Sequence, residues 1–344
     1  MRLKYSMLSL ALICAPCFGE TSIPQQEFAA LGDLSLVSGE TLRHTTIGYM
    51  TAGTLRADRS NVIVMPSWFI GTAKNLFEAG KIGPGKIADT DRYFVIAVDA
   101  LGNGVSTSPS NSVTQGGADF PAIMIDDMVN AAQLLVTRHL GIDHVHAVMG
   151  ISMGGMQTLQ WIAQYPDFMD KAVAIDASPR MTTWDLAQWR VHENALQMAR
   201  KAGVSDQETM AFLIKIFMLT LWTPDYWVQK VQLGTLAEFE AGFQQGFAEL
   251  DPDDYLVQLR AMMGHDAYAD FASSGDTYTE RIQSDLLLIG VPGDHTVNQS
   301  PARALAQEIG ALYVGIESNC GHLGTTCEAS RVSAIVNSFL NESP

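Results

Sequence analysis

The sequence predicts an α/β protein with a mostly parallel central sheet, helices on both faces and a helical cap inserted late in the chain. Three observations carry this. Short aliphatic runs alternate with segments of helical period. Residues 181–276 break that rhythm and hold no convincing strand pattern. Between them, Gly150-Ile151-Ser152-Met153-Gly154 stands where an aliphatic run passes straight into a helical pattern.

The strands come first. Leu42–Thr51 alternates in part, as an early antiparallel strand does. Asn61–Met65, Tyr93–Val98, Val145–Ile151, Ala172–Ile175, Leu286–Val291 and Leu312–Ile316 are continuously aliphatic, which fits parallel strands buried on both faces. Ile123–Leu140, Met153–Tyr165, Pro301–Ile309 and Ala329–Leu340 carry the 3.6-residue period of helices between strands. Within the insertion, Phe212–Leu221 and Thr235–Leu250 read as amphipathic helices, and Asp251-Pro252 reads as a helix start capped by Asp251. Its apolar residues Trp184, Trp189, Phe212, Phe217, Met218, Trp222 and Trp227 suit an acyl pocket, a dimer interface or plain helix packing.

At 344 residues the chain accommodates one large α/β domain with an insertion, or two domains. Arg2 and Lys4, the apolar stretch Met7–Cys14 and the small residues up to Gly19 form a secretory signal pattern. The expected division is therefore 1–19 as signal peptide, 20–180 and 277–344 as the two parts of the core, and 181–276 as the cap. The residues before Cys14 and Cys17 fit a lipoprotein signal poorly. No other stretch approaches the roughly 18 apolar residues of a membrane span, so no stable membrane anchor is expected. A secreted or periplasmic location follows.

The formal net charge is −16. Without Arg2 and Lys4, 19 basic residues stand against 37 acidic ones, a net of −18. Such a chain repels nucleic acid and anionic membranes. Export leaves Cys320 and Cys327, which flank a short loop containing His322; an oxidising compartment favours a disulfide there over two free thiols.

Strand, sharp turn and helix around Ser152 form the context of a nucleophile elbow. The turn strains the serine backbone, and the flanking glycines allow strand and helix to cross closely. The Met153 N–H, at the helix start, points to where an oxyanion would form. A serine nucleophile needs a base, and the base an orienting acid, following it in the order Ser, acid, His. His192, His265, His295 and His322 lie downstream. His192 and His265 fall in the cap, and His295 directly follows the best acid candidate. His322 lies after the last strand, at the sheet edge where the elbow points. Asp294 closes the run Leu286–Val291 and its turn, where the acid belongs; Ser300 is the better cap for the following helix. The second oxyanion N–H is assigned to Trp68, with Phe69 next, in the loop after Asn61–Met65.

Cofactor and metal chemistry find little support. No His-Glu-x-x-His or Cys-x-x-Cys pair remains after export, so no metal is expected. His144 and His146 share one side of a strand but sit at its entry. Gly102-Asn103-Gly104 lacks the third glycine and the helix of a dinucleotide loop.

Assembled, these residues resemble the homoserine O-acetyltransferase family of the α/β-hydrolase fold. The marks are Ile82-Gly83-Pro84-Gly85-Lys86, Asp89–Ile96, Leu101–Gly104 with Ser108-Pro109-Ser110, the elbow Gly150–Met156 with Gln157, Gln160-Trp161 and Tyr165-Pro166, and Leu250–Leu256. The resemblance implies a Ser152–Asp294–His322 triad, an acyl-enzyme intermediate, and dimers joined through the cap helices. Two departures alter the functional expectation. The family's Asp after the catalytic His, which holds the homoserine amino group, is Leu323 here. The cap Arg-Gln pair, whose Arg holds the carboxylate, aligns with Glu193-Asn194, and the neighbouring Arg190 lies on another helix face. Each lost charge-assisted contact is worth about 1.5–3 kcal/mol. The expectation is a secreted serine hydrolase of small carboxylic esters. The alternative is an O-acyltransferase using acetyl-CoA or another acyl donor.

Overall fold

A computed structural model describes residues 23–271 and 277–342. The signal segment 1–19, with Cys14 and Cys17, lies outside the described residues, as does the expected cap boundary at 276. Ten strands occur among the described residues: β1 (Glu27–Ser35), β2 (Thr41–Ala52), β3 (Val62–Pro66), β4 (Ile82–Gly83), β5 (Ala88–Asp89), β6 (Phe94–Val98), β7 (Val145–Ile151), β8 (Met169–Ile175), β9 (Asp285–Gly290) and β10 (Leu312–Gly315). Eight form one sheet in the order β1-β2-β6-β3-β7-β8-β9-β10, while β4 and β5 pair separately. From β6 to β10 every pairing is parallel. The β1 and β2 strands join antiparallel at one edge.

Alternate strand residues point to opposite faces and build two cores. Val62, Val64, Ile96 and Val148 belong to one, which continues into the cap. Ile63, Met65, Val95 and Met149 belong to the other, closed by the last helix.

The helices are α1 (Ala73–Glu78), α2 (Ile125–Leu134), α3 (Met153–Gln164), α4 (Thr183–Ala202), α5 (Asp206–Leu221), α6 (Pro224–Lys230), α7 (Leu236–Gln245), α8 (Pro252–Met263), α9 (Tyr278–Arg281), α10 (Ser300–Ile309), α11 (Gly324–Cys327) and α12 (Ala329–Asn341). The sequence pattern overlooked β1, an edge strand with mostly exposed residues and therefore little apolar signal. It also extended one helix through Ile123–Leu140, whereas α2 stops at Leu134 and continues as a π-turn over Leu135–His139. Thr235–Leu250 shortens to α7, which ends at Gln245.

Helices α4 to α8 rise between β8 and β9. Asp251 caps α8, accepting from the N–H groups of Asp253 and Asp254 at 2.8 and 3.2 Å. Asp254 then accepts from Ser110 N–H at 2.9 Å and Ser110 Oγ at 2.6 Å, tying the cap to the core. Ser300 does not cap α10. It is the first residue of the helix, whose N-cap is Gln299 without a side-chain cap bond, and its N–H and Oγ both donate to Asn298 Oδ1.

Candidate active site

The β7 strand ends at Ile151, and α3 begins at Met153. Ser152 between them has φ 56° and ψ −124°, a strained conformation for a residue with a side chain. The glycines around it are sterically required. A Cβ at Gly150 would lie 2.1 Å from Gly154 O, and one at Gly154 would lie 2.5 Å from Pro66 O. Strand and helix therefore cross at backbone contact, and the serine hydroxyl is thrust beyond the carboxyl end of the sheet.

Asp294 and His322 come to that same end on separate loops. His322 Nε2 lies 3.0 Å from Ser152 Oγ, and His322 Nδ1 lies 2.7 Å from Asp294 Oδ2. The other Asp294 oxygen accepts from the N–H groups of Thr296 and Val297 at 2.7 and 2.9 Å, which fixes the carboxylate plane. All three residues are 8% exposed. Burial alone pulls the His322 imidazole down, but the charge and hydrogen bond of Asp294, with the charge of Asp176, outweigh it and hold it above 6.5. A buried imidazole with that support is a competent proton acceptor for the serine.

The other downstream histidines do not reach Ser152. His192 is buried in the cap with Tyr255 Oη at 2.6 Å, and burial lowers it to about 4. His265 is buried and also held down to about 4 by desolvation. His295 meets Trp184 edge-on, with its carbonyl accepting from Trp184 Nε1. His144 and His146 both face Asp170, at the entry of β7.

Met153 is the first residue of α3, and its N–H belongs to the free first turn. Trp68 borders the same cavity as Ser152. Its loop is held on every side. Ser67 N–H donates to Val98 O, Gln157 Nε2 to Ser67 O, and Ile70 N–H to Gln258 Oε1. The N–H groups of Trp68 and Phe69 lie between these anchors without an acceptor among the described residues. Gly102–Gly104 supports this loop, since Asn103 Nδ2 donates to Gly71 O and Asp99 Oδ1.

Cys320 and Cys327 are joined by a disulfide across the loop that carries His322. Among the described residues, no group of three His, Cys, Asp or Glu side chains could hold a metal ion. No described helix is long and apolar enough to cross a membrane.

A cavity of about 310 Å³ opens onto Ser152 and His322. Phe69, Met156, Trp189, Phe217, Leu221 and Met262 supply much of its apolar wall. The aromatic rings interlock: Phe69 packs on Trp189 at 5.6 Å and on Phe217 at 6.2 Å between centroids.

The profile of the alpha/beta hydrolase fold matches residues 66–325. The chain belongs to the alpha/beta hydrolase family. Within it, this hydrolase is similar to both acyltransferases and esterases. It is 30% identical to a homoserine O-acetyltransferase of Pelobacter propionicus, across 93% of this chain and 97% of that protein. It is 32% identical to an ethyl acetate hydrolase of Pseudomonas veronii, across 67% of this chain and 70% of that protein. A solved acetyl esterase superposes with a TM-score of 0.84 at 26% identity, covering 92% of this chain and 95% of that one. The hydrolase is thus an enzyme of the esterase and acyltransferase class.

The two departures from the acetyltransferase pattern can be located in this hydrolase. Leu323 lines the cavity beside His322. Glu193 accepts from Arg260 Nε at 2.8 Å, and Arg190 and Asn194 are exposed. None of these three borders the cavity.

Two buried groups near the site were not singled out from the sequence. Asp176, at the carboxyl end of β8, is fully buried and accepts from Thr325 Oγ1 at 2.8 Å. Burial, then the charge of Asp294, raises its carboxyl well above the ordinary range. An aspartate directly after the core strand Ala172–Ile175 was the available signal. Lys81 lies in the cavity wall and is 4% exposed. Its sequence neighbourhood reads as a loop, where a lysine is expected in water.

Proposed function

We propose that this enzyme is an exported serine carboxylesterase acting on small carboxylic esters. Ser152 Oγ attacks the ester carbonyl while His322 takes its proton, with Asp294 holding the imidazole. The Met153 and Trp68 N–H groups receive the oxyanion. His322 returns the proton to the departing alcohol, and water then releases the acyl group by the reverse sequence.

The observation that carries hydrolysis over transfer is Leu323 in the cavity wall, together with Glu193 paired outward to Arg260. The charged groups by which that family is expected to grip an amino-acid acceptor are missing from these two places, which supports water as the acyl acceptor. The similarity to an ethyl acetate hydrolase supports the same reading. The Cys320–Cys327 disulfide supports an oxidising compartment.

The test is partition of a labelled acyl group. With p-nitrophenyl acetate or acetyl-CoA as donor and homoserine as acceptor, the label is expected in free acetate. Label in O-acetylhomoserine would favour the acyltransferase reading.

We also infer a homodimer through the cap helices. Val191 and Met198 on α4 and Phe212 on α5 are 50%, 69% and 57% exposed and line one groove. Sedimentation of Phe212→Glu beside the unaltered protein tests it; dimers of equal stability in both would argue against that interface.

A further inference from the structure

The cavity wall holds one unusual group. Lys81 follows α1 and precedes β4, and it lines the cavity together with Trp68, Ala79 and Thr326. Its Nζ donates to Thr326 Oγ1 at 2.7 Å. An ammonium has three N–H groups. Among the described residues no carboxylate lies within 4.0 Å of Nζ, and Thr326 is its one side-chain partner. Among the described residues, Lys81 and His322 are the only ionisable side chains bordering the cavity.

Placing a cation there is costly. Burial lowers the ammonium to about 8, with the charge of Asp176 opposing the drop. It still carries its proton at neutral pH. A methionine or leucine would fill the same wall without that penalty. The hydroxyl of Thr326 accepts one N–H, and among the described residues no acceptor within hydrogen-bond distance meets the other two; Lys81 and Thr326 both line the cavity that also holds Ser152.

We propose that Lys81 is an anion anchor, so that the preferred substrate is an ester bearing a second, ionised carboxylate. This rests on the esterase reading of the same cavity. The carboxylate neutralises Lys81 and accepts its free N–H groups, while the ester carbonyl lies at Ser152. Lys81 touches no reacting atom; it determines specificity. The anchor arises from the core loop and is separate from the cap positions 193 and 194, which face away from the cavity.

The experiment compares monomethyl and dimethyl esters of succinic, glutaric and adipic acids, which differ in charge at nearly equal shape. A second arm uses acetyl esters of hydroxy acids and of their methyl esters, placing the carboxylate on the alcohol half. The expected result is a charged-over-neutral ratio of kcat/KM above one in one arm. Lys81→Met should lower that ratio on the order of 10- to 100-fold. Because both esters are read on the same enzyme, a folding defect cancels in the ratio. Calorimetric binding of the monoesters to Ser152→Ala, with and without Lys81→Met, gives a readout independent of turnover. A ratio and an affinity for the charged ester that Lys81→Met leaves unaltered would overturn the anchor. Absence of all ester turnover, with tight Lys81-dependent binding of the monoester, would instead overturn the esterase reading and keep the anchor.

Discussion

Gly321 is pressed against the carbonyl oxygen of Leu221, so closely that a Cβ at 321 would lie 2.7 Å from that atom. Leu221 ends the cap helix α5, and Gly321 immediately precedes His322. Gly321 also has φ 60°, a region that disfavours L side chains. The cap end and the histidine loop therefore fix one another. The contact is reinforced by Thr223 Oγ1 donating to Asn319 O, and by Thr296 Oγ1 donating to Thr220 O beside Asp294. The cap and the loops that carry His322 and Asp294 are mechanically one assembly.

Gly321→Ala should consequently displace His322. Loss of ester turnover on the order of 100-fold is expected, since small misplacements of a catalytic group cost that much. Steady-state kinetics with p-nitrophenyl acetate checks it, and turnover within two-fold of the unaltered enzyme would contradict the coupling.

The pH profile follows from His322. A general base must be neutral, so kcat/KM should rise as pH climbs through a midpoint above 6.5. Asp176 contributes to holding that value up. Asp176→Asn should move the acid limb to lower pH, measured as the kcat/KM profile of the two proteins.

Asp176 also sets a stability trend. Its folded-state value is raised, first by burial and then by Asp294, so the carboxyl prefers its proton in the fold. Its contribution then falls as pH rises from the ordinary value of 3.8 through the raised one. Asp176→Asn cannot ionise and escapes this loss. The Tm of the variant minus that of the unaltered enzyme should grow with pH across that window; a constant difference would contradict the burial account.

Reduction should loosen the histidine loop. The disulfide joins cysteines seven positions apart, and closing so short a loop is worth about 2–3 kcal/mol in chain entropy. Thermal unfolding of the Cys320→Ser, Cys327→Ser double variant should show that loss, accompanied by reduced turnover.

The sequence made the sheet legible because buried parallel strands are continuously aliphatic. Val145–Ile151 was placed to the residue, since it runs into the elbow glycines. Edge strand β1 was illegible for the opposite reason: its side chains are mainly in water. The residues at 152, 294 and 322, which the structure brings within hydrogen-bond distance, are read from chain order and strand ends, which is topological information that a sequence carries. Lys81 and Asp176 are not, because their meaning lies in burial beside residues distant in the chain. The same holds for the Ser110–Asp254 contact, in which two separately noted segments prove to touch.

The most direct test of the central claim is covalent capture of the nucleophile. A fluorophosphonate should add one phosphonyl group to the folded enzyme, on the peptide containing Ser152, and mass spectrometry reads both the number and the position. Ser152→Ala should take up none. Modification at another residue, or an unlabelled enzyme that still hydrolyses esters, would contradict the account.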